Sequence, residues 1–350
     1  MIKTFIWIIV AAFVIVIVYG VWTFLSISGG FDDVQSSFGG QCRTIGGVVG
    51  AEDLQINHST GLAYIAALNR RIIGTEDASR GMIYRLDMRA HTPVPVDVTP
   101  DTPADFQPHG VSLIRTGDGF TYLFVVNHPQ AGGHTIEVFE IVPSGINYVE
   151  TITYDALTTP NDLVAVGPRS FYATNDIDTG GSEIGQFVAL LLALPLGSVS
   201  YFDGAQGTIT ADDHRFANGI NISPDGRTVY VAEMLGRQII LYDRNIEAGI
   251  LTRINVIPLP GLVDNMDVDE EGALWVTLHP RFPSLISHSR DEAALSPSQI
   301  VKIDPTTGKM EQIYLNSGEE ISGASVGAAY DNKMLIGSIF EPKILLCRLP

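Results

Sequence analysis

The feature that most limits how this chain can fold is a unit of two short strands joined by a tight turn, repeated along most of its length. The turns are acidic or glycine-rich, because Gly and Asp tolerate the positive φ that tight turns need. Clear copies begin at residues 110, 161, 218 and 265, so successive starts differ by 51, 57 and 47 residues. Looser copies are "GLAYIAAL" at 61–68 and "GAAYDNKMLIGSIF" at 327–340.

A period near 50 residues with several short strands in each copy is typical of a β-propeller. Outer strands follow the repeated unit, such as "RQIILYDR" after the copy at residue 218. The sequence therefore predicts an all-β fold, a six-bladed β-propeller with four strands in each blade, over residues 29–350. A two-sheet sandwich is the alternative, but it does not explain a repeat this long.

The composition supports a large folded core and argues against one class of partner. Hydrophobic residues make up 45% of the chain and charged residues 17%, which suits a globular protein rather than a disordered one. Acidic side chains outnumber basic ones, 39 to 21, for a formal net charge of −18. This excess opposes binding to nucleic acid phosphates and is compatible with binding divalent cations.

The first 28 residues form a separate hydrophobic segment. No charge occurs from Phe5 to Leu25, which is 21 residues, and a helix of that length rises about 30 Å, enough to cross a hydrocarbon core. A cleaved signal peptide normally has a shorter apolar region. We therefore expect residues 1–28 to be a transmembrane or signal-anchor helix. With Lys3 on the cytoplasmic side, the propeller would face the exterior, the periplasm or a lumen; secretion is the alternative.

A second apolar stretch, "FVALLLALPLGSVSYF" at 187–202, interrupts the repeat and contains Pro195. It is too short to span a bilayer. Two interpretations are open: a helix over one face of the propeller, near a substrate entrance or the membrane, or a helix packed on a blade.

The only two cysteines, Cys42 and Cys347, lie near the two ends of the propeller region. In an oxidising compartment they are expected to form a disulfide, which would help to close the ring of blades. The alternative is a pair of unrelated buried thiols.

Polar residues recur where the inner strand of each predicted blade begins. Inner strands run beside the central channel of a propeller, so residues just before them converge at one end of the axis. The residues at these positions are Glu52, Asp53, His109, Asn161, Asp162, Asn218, Asp264 and Asn265. Singly, such residues are common turn formers, but turn chemistry gives no reason for them to favour the same end of every inner strand.

Carboxylate and amide oxygens are the ligands of a hard cation. Ca²⁺ takes 6–8 oxygen ligands and accepts Asn beside Asp and Glu, whereas Zn²⁺ prefers His and Cys and Mg²⁺ usually keeps more water. The sequence therefore predicts calcium at this end of the axis.

Three histidines belong to the same region. His109 opens the second blade, and His128 ends the second strand of that blade, so a hairpin would bring the two together. A histidine pair beside a cation is a candidate proton relay, because imidazole titrates near neutral pH. His279 occupies the equivalent position in the fifth blade. The chain has no G-x-S-x-G serine elbow and no convincing nucleotide-binding glycine pattern.

At these residues the sequence resembles the paraoxonase family of calcium-dependent lactonases and arylesterases. The similarity runs from about Cys42 to Leu349, and its most specific stretches are "FANGINISPDGRTVYVAEML" and "LVDNMDVDEEGALWV". One departure is Ile177 after "ATND", where animal members commonly carry His.

The resemblance implies a six-bladed propeller that holds two calcium ions in its tunnel. The catalytic ion would be bound by Glu52, Asn161, Asn218, Asp264 and Asn265. The deeper, structural ion would be bound by Asp53, Asp162 and the backbone carbonyl of Val111. The resemblance also implies a catalytic histidine dyad of His109 and His128, and a disulfide between Cys42 and Cys347.

Hydrolysis of a small-molecule lactone or aryl ester is the function we expect. The calcium would polarise the carbonyl group, and His109, assisted by His128, would deprotonate the attacking water. Direct attack by a ligand carboxylate such as Asp264 is a rival within this class. Two other functions are open: a membrane-anchored propeller that only binds partners around structural calcium, and a sugar lactonase of the gluconolactonase type.

Overall fold

A computed structural model describes residues 2–350, apart from the side chains of residues 2, 3, 5, 9, 13, 16, 17, 23 and 27. Over this range it has three α-helices, α1 (Ile2–Ile27), α2 (Glu183–Leu192) and α3 (Phe282–Arg290). No helix among the described residues is both long and apolar enough to cross a membrane. The anchor at 1–28 stays a prediction, and the Lys3 side chain used to orient it lies outside the described residues.

The rest of the chain is built almost entirely of antiparallel strands. The strands of the first half are β1 (Gln41–Gly46), β2 (Ala51–Asn57), β3 (Leu62–Ala67), β4 (Met82–Asp87), β5 (Val96–Asp97), β6 (Pro108–Arg115), β7 (Thr121–Asn127), β8 (Thr135–Val142), β9 (Gly145–Ile152), β10 (Pro160–Ala165), β11 (Phe171–Asn175), β12 (Gly197–Phe202) and β13 (Gly207–His214). The strands of the second half are β14 (Ala217–Ile222), β15 (Thr228–Glu233), β16 (Gln238–Arg244), β17 (Leu251–Pro258), β18 (Leu262–Val268), β19 (Leu274–His279), β20 (Ser298–Ile303), β21 (Met310–Asn316), β22 (Ala324–Tyr330), β23 (Lys333–Ser338) and β24 (Lys343–Arg348).

These strands form six four-stranded sheets within the described residues, which confirms the predicted propeller. Blades one to five each use four consecutive strands, starting with β2, β6, β10, β14 and β18 as the inner strands. Blade six has β22, β23 and β24, and its outermost strand is β1 from the other end of the chain. The ring is therefore closed within the last blade rather than by pairing between the last blade and the first.

The predicted disulfide is confirmed and lies at this closure. Cys42 of β1 and Cys347 of β24 are directly opposite each other in the strand register, and they are bonded. The bridge spans 305 residues. It fixes the strand that has no sequence neighbour in its own blade.

The core lies between the blades. Within residues 2–350, an apolar cluster fills each interface between neighbouring blades. In β3, Ala63 and Ile65 face blade six, whereas Tyr64 and Ala66 face blade two. Because both faces of a middle strand are buried, these strands read as continuous apolar runs rather than alternating ones.

The helix predicted over 187–202 is only partly right. Helix α2 ends at Leu192, Ala193 follows in the left-handed conformation, and Gly197–Phe202 forms β12, a strand of blade three. Pro195 lies between the two elements and suits the break, since proline cannot continue a helix. On α2, Ile184 is 80% exposed and Phe187 65%, whereas Ala189 is buried and Leu190 packs against Met234 and Leu235, so one face of the helix is packed on the propeller and the other is exposed.

Candidate active site

All six inner strands depart from regular pairing at the same place, one to three residues after they begin. The register shifts there in β2, β6, β10, β14, β18 and β22. A β-bulge of this kind inserts an unpaired residue and re-aims its side chain. The bulges thus form a ring of redirected side chains around one end of the propeller axis.

The predicted ligands occupy these bulges. We expected them just before the inner strands. Instead they lie inside the strands, where the shifted register turns their side chains toward the axis. The residues at the ring are Glu52, Asp53, His109, Asn161, Asp162, Asn218, Asp264, Asn265 and, in blade six, Ser325.

Buried oxygens without partners mark one side of this ring. Glu52, Asn161, Asn218 and Asn265 are each at most 6% exposed. In the described part of the chain, Oε2 of Glu52 and Oδ1 of each of the three asparagines have no hydrogen-bond partner. A buried unpaired oxygen costs about 1–3 kcal/mol, so the three asparagine oxygens call for a ligand that supplies positive charge. Oε2 of Glu52 has no hydrogen-bond partner in that part of the chain but faces His109 and Arg70. All four belong to the set predicted for the catalytic calcium.

The chemistry of this set selects the kind of cation. No group of three or more His, Cys, Asp or Glu side chains among the described residues is arranged to hold a metal. The set predicted for the catalytic calcium instead combines two carboxylates, Glu52 and Asp264, with three amides. Amide oxygens are poor ligands for zinc and good ligands for calcium, so the residues present fit a hard cation.

Glu52 stands at the centre of the charged contacts. Its Oε1 accepts a hydrogen bond from Nδ2 of Asn265 at 2.9 Å. Its Oε2 lies 3.4 Å from Nε2 of His109 and 3.8 Å from Nη2 of Arg70. Burial favours the protonated carboxyl, but His109, Arg70 and Asn265 together outweigh it and lower the pKa of Glu52 to about 2. Glu52 is therefore an anion at neutral pH.

The two residues predicted for the deeper calcium are engaged differently. Oδ2 of Asp53 accepts a hydrogen bond from the amide of Val111 at 2.7 Å, and Oδ2 of Asp162 accepts one from the amide of Ile220 at 2.8 Å. Each aspartate thus ties its blade to the next. Burial raises the pKa of Asp53, and the negative charges of Asp162 and Glu52 raise it further. A cation between the two carboxylates would remove this repulsion.

Two glycines allow the inner strands to come this close. A Cβ on Gly110 would lie 2.4 Å from Oδ1 of Asp162, and one on Gly219 would lie 2.8 Å from Cα of Asn265. Both distances are shorter than any side chain tolerates, so only glycine fits at these positions.

Asp264 is held by His279, a contact that the sequence did not predict, although it placed His279 in the same region. Nε2 of His279 lies 2.7 Å from Oδ2 of Asp264, and both side chains are buried. Burial raises the pKa of Asp264, and the contact with His279 opposes that rise. His279 thus orients Oδ2 of Asp264, and the side chain of Asn218 also hydrogen-bonds this carboxylate.

The histidine pair is also confirmed as a contact. Nδ1 of His109 lies 2.9 Å from Nε2 of His128, and the other ring nitrogen of His109 faces Glu52. Burial lowers the pKa of His128 well below its ordinary value, and the neighbouring His109 lowers it further. His128 is therefore neutral at pH 7 and can accept a proton.

Sequence reasoning missed three residues of the site. Arg70 donates to the carbonyls of Gly50 and Pro108, which precede or begin two inner strands, and Ser325 donates to the carbonyl of Glu52. Ser325 could have been predicted from the sequence, since it stands at the same place in blade six as the predicted ligands do in the other blades. The third residue, His134, lies 2.8 Å from His128.

Cavity volume alone would not have located this site. A cavity of about 430 Å³ lies at the opposite ends of the inner strands, with Gln55, Asn221 and Asp267 in its wall. None of the predicted ligands lines it. The bulges and the unpaired oxygens, rather than the size of a pocket, identify the functional end.

Fold and site together define a class: a six-bladed propeller with a ring of carboxylates and amides and a histidine pair at one end of its inner strands. The chain belongs to the arylesterase family, whose model matches residues 33–349. It is 34% identical over 319 residues to human serum paraoxonase/arylesterase 1, covering 88% of each chain, and 32% identical over 322 residues to rat serum paraoxonase/arylesterase 2, again covering 88% of each. These relatives confirm the resemblance drawn from the sequence motifs.

Solved structures are similar in fold alone. A gluconolactonase from Xanthomonas campestris superposes with a TM-score of 0.56 at 17% identity, covering 89% of this chain and 90% of that one.

Proposed function

We propose that this protein is a calcium-dependent hydrolase of lactones and aryl esters. Membership of the arylesterase family supports an esterase or lactonase. The observation that carries the proposal is the group of four buried oxygens without partners among the described residues, set beside a histidine. A site that only binds a cation does not need a histidine base such as His109 beside its ligands.

Two calcium ions are proposed, with the ligand sets that the family resemblance implies. Glu52, Asn161, Asn218, Asp264 and Asn265 would hold the ion next to the substrate. Asp53 and Asp162, with the Val111 carbonyl, would hold the deeper one. When bound, calcium supplies a Lewis acid for the substrate carbonyl oxygen. The deeper ion would offset the repulsion between two buried carboxylates and join blades one, two and three.

The residues of this chain would supply the base and its orientation. His109 presents Nε2 to the ligand side of the ring, where it accepts a proton as a water oxygen bonds to the ester carbonyl carbon. His128, 2.9 Å from Nδ1 of His109, holds that ring and its tautomer. When the ester C–O bond breaks, the leaving alkoxide takes the proton back from His109. The products are an alcohol and a carboxylic acid, which ionises in water.

Attack by Asp264 is the rival route, in which its carboxylate would form an anhydride with the acyl group. A single turnover in ¹⁸O-labelled water separates the two routes. Direct attack by water places the label in the product carboxylate. In the rival route, water that opens the anhydride at Cγ of Asp264 leaves an unlabelled enzyme oxygen in the product of the first turnover and ¹⁸O in Asp264; that result would contradict the role proposed for His109.

The proposed activity is tested with a panel of lactones and aryl esters. The full chain is assayed as prepared, after EDTA, and after Ca²⁺ is restored. We expect turnover that EDTA abolishes and calcium restores. A folded protein that binds calcium but hydrolyses nothing would overturn the proposal in favour of a propeller that only binds partners.

The role of His109 is tested by His109→Gln, with His91→Gln as a control, because His91 is an exposed histidine far from the ring. His109→Gln is expected to lower kcat by about 10²–10⁴-fold while calcium affinity is kept. An unchanged rate would remove His109 as the base.

We also propose that residues 1–28 anchor the protein in a membrane, with the propeller on the extracellular, periplasmic or lumenal side. Trp7 and Trp22 of α1 are 72% and 59% exposed, and Phe187 of α2 is 65% exposed. The end of α1 contacts the propeller through the carbonyl of Ser28, which accepts a hydrogen bond from the amide of Phe282. The full chain should stay with membranes after alkaline carbonate extraction; release by carbonate would contradict anchoring.

A further inference from the structure

A third histidine extends the pair at the site toward solvent. Nδ1 of His128 lies 2.8 Å from Nδ1 of His134, and the two rings meet edge to face with their centroids 4.9 Å apart. Since Nε2 of His128 already contacts His109, both ring nitrogens of His128 are used. The three rings therefore form one continuous chain of hydrogen bonds.

The hairpin between β7 and β8 builds the outer half of this chain. Asn127 and Thr135 are opposite each other in the register, so His128 and His134 flank the same end of the hairpin. The turn between them contains Gly132 and Gly133, which have φ of +90° and +78°. Glycine adopts these values without strain, so the turn can close tightly enough to bring the two rings into contact.

His134 has the properties of an outlet rather than of a packing residue. Its side chain is half-buried, and its Nε2 makes no hydrogen bond to any described residue. No ion pair within residues 2–350 involves either His128 or His134. Burial lowers the pKa of His134, so the imidazole is neutral at pH 7 and free to exchange protons with water.

We propose that His134 is the proton outlet of the active site, linking His109 through His128 to solvent. The inference rests on the proposed hydrolase function, because it needs a proton that His109 takes up from water in one step and gives to the leaving alkoxide in the next. It also explains why the half-buried pair of His109 and His128 would extend to a third histidine.

Proton movements along the chain balance over one turnover. When Nε2 of His109 takes a proton from water, its Nδ1 proton passes to His128. The Nδ1 proton of His128 passes to His134, and the Nε2 proton of His134 enters the solvent. When the leaving alkoxide takes its proton from His109, each transfer reverses and His134 regains a proton. The product acid then ionises, so one proton is released in total and the chain returns to its starting tautomers.

The test is chemical rescue of His134→Ala. The full chain, the His134→Ala variant and a control His91→Ala variant are assayed on the same lactone. Each is measured in dilute buffer and then with increasing imidazole. For His134→Ala we expect kcat to fall about tenfold in dilute buffer with KM unchanged, and to recover with saturating imidazole. For the full chain and for His91→Ala, kcat should not fall in dilute buffer and should not rise with added imidazole.

A second variant separates proton transfer from structure. His134→Gln keeps a hydrogen-bonding side chain but cannot carry a proton, so its kcat should also fall in dilute buffer. If His134→Gln matches the full chain in dilute buffer, or if imidazole does not rescue His134→Ala, the outlet is refuted and the hydrolase proposal stands. If the full chain hydrolyses no substrate with calcium present, the hydrolase proposal fails and the outlet fails with it.

Discussion

The sharpest prediction concerns Asn161, one of the four buried side chains with an unpaired oxygen. Its Oδ1 has no hydrogen-bond partner in the part of the chain that the structure describes, and the residue is only 6% exposed. Asn161→Leu keeps the branching at Cγ but removes that oxygen. Because a buried unpaired acceptor costs about 1–3 kcal/mol, the variant without calcium should be as stable as the parent or more stable by up to that amount.

Calcium should reverse the sign of this effect. An ion at 1,000 times its dissociation constant stabilises the folded protein by about 4.1 kcal/mol, which exceeds the roughly 1–3 kcal/mol that removing the oxygen can gain. Asn161→Leu loses a ligand for that ion, so with calcium present it should be less stable than the parent. The same substitution would then stabilise in EDTA and destabilise in calcium.

Asn175 in the neighbouring strand is the matched control. It is fully buried, its Oδ1 accepts from the amides of Thr158 and Thr159, and its Nδ2 donates to the carbonyl of Ala156. Asn175→Leu leaves these groups unpaired, so it should cost at least about 1–3 kcal/mol with or without calcium.

Urea unfolding of both variants in EDTA and in excess calcium measures the free energies. If Asn161→Leu loses as much stability in EDTA as Asn175→Leu does, the proposal that Oδ1 of Asn161 binds a cation is refuted.

Three further predictions follow from the fold and the ring. Replacing Cys42 and Cys347 together by Ala should lower the free energy of unfolding by up to about 6 kcal/mol, the chain-entropy value for a 305-residue loop; an unchanged urea midpoint would contradict it. Asp269→Asn should cost about 1–2 kcal/mol at pH 7. Burial raises the pKa of Asp269, but the bonds from Lys302 at 2.8 Å, from Trp275 and from the amide of Ala273 together outweigh it and the net pKa is lowered, so this contribution is present above about pH 4 and should vanish as the pH falls below that. Gly219→Ala would place a methyl 2.8 Å from the backbone of β18 and should cost about 1–3 kcal/mol and weaken calcium-induced stabilisation, both visible in thermal melts with and without calcium.

Much of the site could be predicted from the sequence because its residues recur with the blade period. Asn161 and Asp264 stand at the same place in two repeats, and that equivalence pointed to one end of the axis. The role of His134 was not predicted because this residue lies outside the repeat. Its contact with His128 depends on how tightly the turn at Gly132 and Gly133 closes. Arg70 escaped because it reaches the ring from a loop, where no periodic pattern marks a residue.

The sequence by itself determined the propeller, its number of blades and the end of the axis that carries the chemistry. These properties follow from periodic apolar strands and turn residues, which are local and repeat along the chain. Only the tertiary structure decided which oxygens lack partners, how the ring of blades closes through β1, and that His128 contacts two histidines instead of one. Such properties depend on distances between residues far apart in the chain, on bulges that re-aim side chains, and on which groups are buried away from water.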